Sequence, residues 1–276
     1  MTALVIAGII VLFFAVILVR TAMFKPSAEN KPEQMPVEFD RERAVERFRS
    51  ILRCRTVSYP DHSLEDAAEF DRLRSLLVSE YPNVNKACTL ERVGRTGMLF
   101  CLKGESDAEP SVFMAHYDVV PVNEAMWTKP PFDAETDEAG VIWARGTLDT
   151  KGTLVGVMEA AEALLAKGFV PKNDIYLSFS GEEEIAGPTA TDIADHLAAK
   201  GVTPQLVIDE GGAVVDGIFP GVSEPCALVG IAEKGIMDLR FDTKSAGGHA
   251  STPPPHGPVG VLAKAVVDIE NHPFKF

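Results

Sequence analysis

Hydrophobic and polar positions divide this chain of 276 residues into an apolar opening and a long stretch in which helical and strand-like periods alternate. Met1 to Val19 has no charged side chain and is dominated by Ala, Val, Ile, Leu and Phe, close to the ~20 residues that cross a bilayer as a helix. Arg20 ends that run, residues 1–24 read as a transmembrane anchor, and Pro26, Pro32 and Pro36 mark a polar linker over 25–38. FDRERAVERFRSIL (39–52) and LEDAAEFDRLRSLLVSEYP (64–82) place apolar residues at helical spacing, and Pro82 stops the second. Strands are expected near 96–103 and 111–116, followed by the amphipathic helix TKGTLVGVMEAAEALLAKG (150–168), which Gly168 and Pro171 close. The runs DIYLSFS (174–180) and QLVI (205–208) read as further strands. This alternation predicts an α/β fold, a mainly parallel sheet sandwiched by helices. From AEKGIMDLRFDTKSAGGHAST onward the pattern becomes strand-like with a Gly-Gly-His turn, and Pro253, Pro254 and Pro255 space that turn from the helical VGVLAKAVVDIE.

The candidate chemistry sits where strands end. The apolar run SVFMA leads directly into His116 and Asp118, DIYLSFS opens onto Gly181, Glu182, Glu183 and Glu184, and QLVI opens onto Asp209 and Glu210. Asp149 stands in GTLDTKGTL at the start of a helical pattern. Taken singly, each has an ordinary explanation: a turn with a solvated acid, an acidic helix start, an N-cap. Together they point to one place, because loops leaving the carboxyl ends of strands in an open α/β sheet gather at one edge. One imidazole with several carboxylates converging there is the donor set of a hydrolytic metal centre.

Composition narrows the options. With 46% hydrophobic and 24% charged residues the chain can bury a sizeable core. Its formal charge of −14, without a Lys/Arg-rich stripe, argues against nucleic acid and makes a cation the natural charged partner. Cys54, Cys88, Cys101 and Cys226 are widely spaced with no CxxC, so free thiols are expected rather than a zinc ribbon or disulfide framework. The apolar opening lacks a basic start and an A-x-A site, which favours an uncleaved single-pass anchor over a cleaved signal. Arg20, Lys25 and Lys31 follow it and place the large domain on the cytoplasmic side, although Glu29 and Glu33 lie among them.

The motifs HYDVVPV (116–122), RGTLDTKGTL (145–154), GEEEIAG (181–187), IDEGG (208–212) and GGHASTPPPHGPVGVLAKAV (248–267) resemble the aminoacylase and carboxypeptidase family of co-catalytic zinc peptidases, in the branch of carboxypeptidase S and the N-acyl-amino-acid hydrolases. The resemblance runs from about residue 40 to the end of the chain. It implies the first part of a catalytic domain over 39–232 and the beginning of a smaller α+β lid or dimerisation domain over 233–276. It also implies two zinc ions in the complete protein. His116 would bind one, Asp149 would bridge both, and Glu184 and Asp209 would complete the two sides. Asp118 would orient His116, Glu183 would be the general base, Glu182 a solvated or hydrogen-bonded neighbour, and His249 the lid histidine that stabilises the oxyanion, in many relatives across a dimer interface. Family members are longer, and their last histidine ligand falls beyond residue 276, so this chain resembles a fragment or truncated product.

The expected function is therefore that of a membrane-anchored metallohydrolase. It would cleave an amide next to a free amino-acid carboxylate, as a carboxypeptidase, dipeptidase or N-acyl-amino-acid hydrolase. Its substrate would be a small peptide or N-acyl amino acid, and a homodimer could form through the lid. An amino-acid deacetylase or desuccinylase would use the same metal core, and a catalytically inactive metal-binding module is the alternative from another class.

Overall fold

The computed structural model describes residues 2–24, 38–249, 251–253 and 255–273. The expected linker lies, apart from Glu38, outside the described residues, as does Pro254. The chain divides into two compact units, Met1–Glu210 and Gly211–Phe276. In the first unit the helices are α1 (Thr2–Met23), α2 (Arg41–Leu52), α3 (Ala67–Ser79), α4 (Pro82–Ala87), α5 (Lys151–Ala166) and α6 (Thr189–Ala199). Its strands are β1 (Cys88–Val93), β2 (Gly97–Leu102), β3 (Ser106–His116), β4 (Glu135–Thr136), β5 (Ile142–Trp143), β6 (Asn173–Ser180) and β7 (Leu206–Ile208).

Local chemistry explains where the helices begin. Asp40 accepts the Arg43 N–H at 3.0 Å and Asp66 accepts the Ala68 N–H at 3.0 Å, so each satisfies a backbone donor that the first turn of α2 or α3 leaves free. Pro82 ends the α3 pattern and also opens α4 at a first-turn position, where its missing N–H costs nothing. α1 is apolar around its whole circumference, and Val5–Met23 is long and apolar enough to cross a membrane, with none of it buried in the fold.

Five strands form the main sheet in the order β1-β2-β6-β3-β7. β3 pairs in parallel with both β6 and β7, whereas β2 runs antiparallel to β1 and β6. Only β2 opposes the common direction, so the sheet is mixed and mostly parallel. The departure from the expected sheet has a local cause. Val93 pairs with Gly97 across a three-residue turn, and a turn that short can join only antiparallel strands. Gly94 meets the turn's demand for a left-handed residue, at φ +59°.

Alternation along the strands builds a core on each face of the sheet. Met98, Phe100, Leu177 and Phe179 pack with Ile51, Phe70, Leu73, Leu77 and Leu154 from the helices. Their neighbours Leu99, Cys101, Val112 and Tyr176 face the other way and pack under Ile193 and Leu197 of α6. Each such side chain contributes ~1.5–3 kcal/mol when fully buried, so the two layers fix the sheet whose edge carries the acids. All four cysteines are free, with Cys54 and Cys101 buried.

The second unit holds an antiparallel pair, β8 (Ala213–Val215) with β9 (Cys226–Leu228), and the helix α7 (Pro258–Asn271). Residues 229–249 form no helix or strand, so the alternation seen there in the sequence is not expressed as a ladder. A strand is stable only against a partner, and none faces this segment among the described residues.

Candidate metal centre

Three strand ends and one helix start bring the acids together. His116 is the last residue of β3 and pairs in register with Ser180, the last residue of β6, so the turn carrying Glu182, Glu183 and Glu184 begins beside it. On the other flank of β3, Phe113 pairs with Ile208, and β7 then releases Asp209 and Glu210 at the same edge. Asp149 stands one residue before the cap of α5. The cap residue of that helix is Thr150, with no side-chain cap bond, while the Asp149 carboxylate lies 3.0 Å from His116 Nε2.

His116 is buried and has two distinct sides. Nδ1 faces Asp118, lying 3.1 Å from its carbonyl oxygen and 3.3 Å from carboxylate Oδ1. Nε2 faces the acids, with Asp149 at 3.0 Å, Glu210 at 3.2 Å and Glu183 at 3.6 Å. Burial alone would lower the imidazole pKa, but the hydrogen bond and charge of Asp118, with Glu210 and Glu183, outweigh it and lift it to about 10. Asp118 itself is fully buried and accepts from Ser58 Oγ at 2.7 Å and from the Glu183 and Glu184 N–H groups at 3.1 Å each. A single carboxylate thus holds both the ring and the turn that bears the glutamates.

The donors fit a divalent cation. His116, Glu183 and Glu210 form one group, and His116, Asp149 and Glu184 another, with the donor atoms of each group within 4.8 Å of one another. Glu183, Glu184 and Glu210 all have raised pKa values, first because burial disfavours their charge and then because they and Asp149 repel one another. A bound cation would reverse that repulsion. Asp209, the expected ligand, is exposed, and its carboxylate accepts the Glu210 N–H at 2.8 Å. Glu210 is the acid of this pair that faces His116.

Supports that sequence reasoning missed surround this cluster. Glu182, expected as a solvated or hydrogen-bonded neighbour, is hydrogen-bonded: it is 2% exposed and accepts from Arg95 Nε at 2.5 Å and from Thr189 Oγ1. Arg95 also pairs with Glu65 at 2.7 Å, so the β1–β2 turn is tied to the turn after β6. Lys151, two residues after Asp149, is wholly buried and donates to Cys54 O at 2.7 Å, and burial pushes its pKa down to about 8. Ser58 lies 60 residues from Asp118 and Arg95 lies 87 from Glu182, and nothing in the local pattern marks them. His249 belongs to the second unit, is exposed, and has its Nδ1 2.8 Å from Ser251 Oγ.

Comparison with known proteins agrees with this chemistry. The profile of peptidase family M20/M25/M40 matches residues 112–273. The N-fatty-acyl-amino acid synthase/hydrolase PM20D1.1 of Danio rerio is 34% identical over 283 residues, covering 95% of this chain and 53% of that protein. Carboxypeptidase S of Saccharomyces cerevisiae is 31% identical over 252 residues, covering 86% of this chain and 43% of its own length. Among solved structures, the M20 family metallo-carboxypeptidase Sso-CP2 of Sulfolobus solfataricus superposes with a TM-score of 0.52 at 25% identity, over 65% of this chain and 39% of that one. The chain spans about half the length of the curated relatives it matches.

Proposed function

The chain belongs to peptidase family M20/M25/M40, and on that premise we propose that it is the metal-binding part of a zinc hydrolase that cleaves an amide next to a free amino-acid carboxylate. The substrate would be an N-acyl amino acid or the C-terminal end of a small peptide, the classes named for the Danio rerio and Saccharomyces cerevisiae relatives. The observation that carries this reading is the convergence of one imidazole and four carboxylates, from three strand ends and one helix start, within hydrogen-bond or metal-ligand reach.

His116, Asp149 and Glu210 would hold one ion, and Asp149 with Glu184 would contribute to the second. This reading takes Glu210 in place of Asp209 because Glu210 is the acid beside His116 Nε2. Divalent ions held there would supply Lewis acidity for the scissile carbonyl and the attacking water. Glu183 would take the proton from that water and pass it to the departing amine nitrogen. Its side chain is 53% exposed, open to substrate, and its raised pKa moves it toward the range in which a carboxylate both accepts and returns a proton. Asp118 would keep His116 Nδ1 protonated and Nε2 free for metal. His249 remains the proposed oxyanion donor from the lid, and α1 the proposed membrane anchor with the catalytic unit on the cytoplasmic side.

Zinc titration of this chain by calorimetry, with Glu210→Gln and Asp209→Asn as paired variants, tests the ligand set. Glu210→Gln should weaken the tight site at least tenfold while Asp209→Asn leaves it near wild type, and the reverse order would return the role to Asp209. Hydrolysis of a panel of N-acyl amino acids and dipeptides by the full-length protein tests the activity. Absence of turnover on every member with zinc bound would sink the hydrolase reading.

A further inference from the structure

In a chain whose formal charge is −14, one cleft of about 340 Å³ is lined by three arginines, Arg74 of α3, Arg92 of β1 and Arg95 of the β1–β2 turn. The sheet register brings them together. Arg92 pairs with Met98, which lies in the core layer with Phe70 and Leu73 of α3, and directly paired residues of an antiparallel ladder point to one face. Arg92 therefore projects toward the helix that supplies Arg74. Asp71, one turn before Arg74, is the one carboxylate among the lining residues.

Two of the three guanidinium groups are held in place. Arg74 donates to Asp71 Oδ1 at 2.5 Å, with its Nη1 3.4 Å from the Tyr117 hydroxyl, and Arg95 donates to Glu182 at 2.5 Å and Glu65 at 2.7 Å. Arg92 is exposed and makes no hydrogen bond or ion pair among the described residues. A guanidinium carries five N–H donors in a rigid fork, so Arg74 and Arg95 keep donors to spare and Arg92 keeps all of its own. Like charges gathered in one cleft repel, and an anion placed between them turns that repulsion into attraction. Asp71 already answers to this field: the hydrogen bond and charge of Arg74, with the charge of Arg92, hold its carboxyl below the ordinary range. Its side chain is 71% exposed, so an incoming anion displaces it without opening the core.

We propose that Arg74, Arg92 and Arg95 form an anion site that takes inorganic phosphate or a phosphate monoester. Forks arriving from a helix, a strand and a turn match a tetrahedral group with at least three acceptor oxygens, whereas a carboxylate offers two in one plane. The cleft volume, at the lower end of the ~300–1,000 Å³ of small-molecule sites, leaves room for a small organic group on the phosphate. The site shares no residue with the metal-ligand groups, yet it backs the turn that carries them. Thr96, which lines it, accepts the Gly181 N–H through Oγ1 at 3.1 Å and the Tyr117 hydroxyl through its carbonyl, while Arg95 holds Glu182. Occupancy therefore bears on the strand ends that position the acids. The coupling is reciprocal, so any factor by which phosphate changes zinc affinity is the factor by which zinc changes phosphate affinity. Binding itself does not depend on the hydrolase reading.

Calorimetric titration of the full, zinc-loaded chain in phosphatidylcholine nanodiscs with inorganic phosphate, at an ionic strength fixed with chloride, tests the site. Binding should saturate at one phosphate per chain. Arg92→Gln should weaken it about tenfold or more, the size expected for losing a charge-assisted pair, with zinc stoichiometry and the thermal midpoint in chloride unchanged. Asp71→Asn should tighten it about threefold or more, because it removes the internal competitor. The same titration after zinc is removed with a chelator should still show saturable binding.

Phosphate binding that vanishes with the zinc and survives Arg92→Gln would place the anion on the metal and overturn the site. A response that chloride reproduces at equal ionic strength would be charge screening and overturn it too. Nanodiscs containing phosphatidic acid, compared with phosphatidylglycerol discs of matched surface charge, separate the two sources of a phosphate monoester. Loss of affinity for free phosphate in the phosphatidic acid discs alone would support the site with a lipid headgroup in it, and equal affinity in both would support it with a soluble phosphate ester.

Discussion

At the scale of single residues, the proposed division of base and ligand falls on Glu183 and Glu184, neighbouring positions in a short 3₁₀ turn. Glu183 and Glu184 both have backbone N–H groups anchored on Asp118, so their carboxylates start from a common fixed point and diverge. Glu183 falls in the donor group with Glu210, and Glu184 in the group with Asp149. In the full-length protein, Glu183→Gln should keep zinc content nearly intact and lower turnover by ~10²–10⁴, the usual cost of losing a general base. Glu184→Gln should lose metal first. Atomic absorption alongside single-turnover hydrolysis separates the two outcomes, and zinc loss from Glu183→Gln with retention in Glu184→Gln would exchange the roles.

Among the secondary-structure elements, the β1–β2 hairpin braces the acidic turn after β6. Its Arg95 reaches Glu182 at 2.5 Å and Glu65 at 2.7 Å, and Glu65 is nearly buried with His62 Nδ1 at 3.0 Å from its carboxylate. For Glu65, burial raises the pKa, but the hydrogen bonds from Arg95 and His62 prevail and the net shift is downward from 4.5. A depressed folded-state pKa contributes stability that is present above the unfolded value and lost as pH falls through the folded one. Glu65→Gln should therefore lower stability by ~1–3 kcal/mol at pH 7, and the gap to wild type should close as pH falls below 4.5. Thermal midpoints from pH 7 to pH 3 measure it, and a gap that stays constant across that range would refute the linkage. This brace also marks the limit of what the sequence makes legible. Helices α2, α3 and α5, the strand ends at His116 and Ser180, and the convergence of acids follow from period and turn chemistry, all of which are local. The hairpin that turns β2 against its neighbours depends on how Gly94 to Thr96 close. Which of Asp209 and Glu210 faces His116 depends on the path of the chain leaving β7, where Gly211 at φ +91° already departs from strand geometry. Alternation predicts side-chain direction only while the strand continues.

On the scale of the whole molecule, α1 is not used for packing among the described residues. α1 presents apolar side chains on every side, and the window within Val5–Met23 has a mean hydropathy of 2.7. An amphipathic helix buries a stripe against a core, whereas a helix apolar all round gains only where its entire surface leaves water. Each Leu, Ile, Val or Phe left in water forgoes ~1.5–3 kcal/mol, and Val5, Ile6, Ile9, Ile10, Val11 and Leu12 are all exposed within two turns of one another. A hydrocarbon environment relieves this, and it leaves the backbone satisfied because every interior N–H and C=O of a helix is bonded within it. Two fates give that relief. As an anchor, α1 should keep the protein in the membrane fraction after alkaline carbonate extraction, and deletion of residues 1–24 should release a folded chain that still binds zinc. As a cleaved signal, it should be missing from the mature protein, whose first residue would then lie beyond Phe24. N-terminal sequencing of the protein recovered from the extracted membrane pellet decides between them. A start at Met1 or Thr2 supports the anchor, and a start beyond Phe24 would replace the anchor with a signal and move the catalytic unit across the membrane.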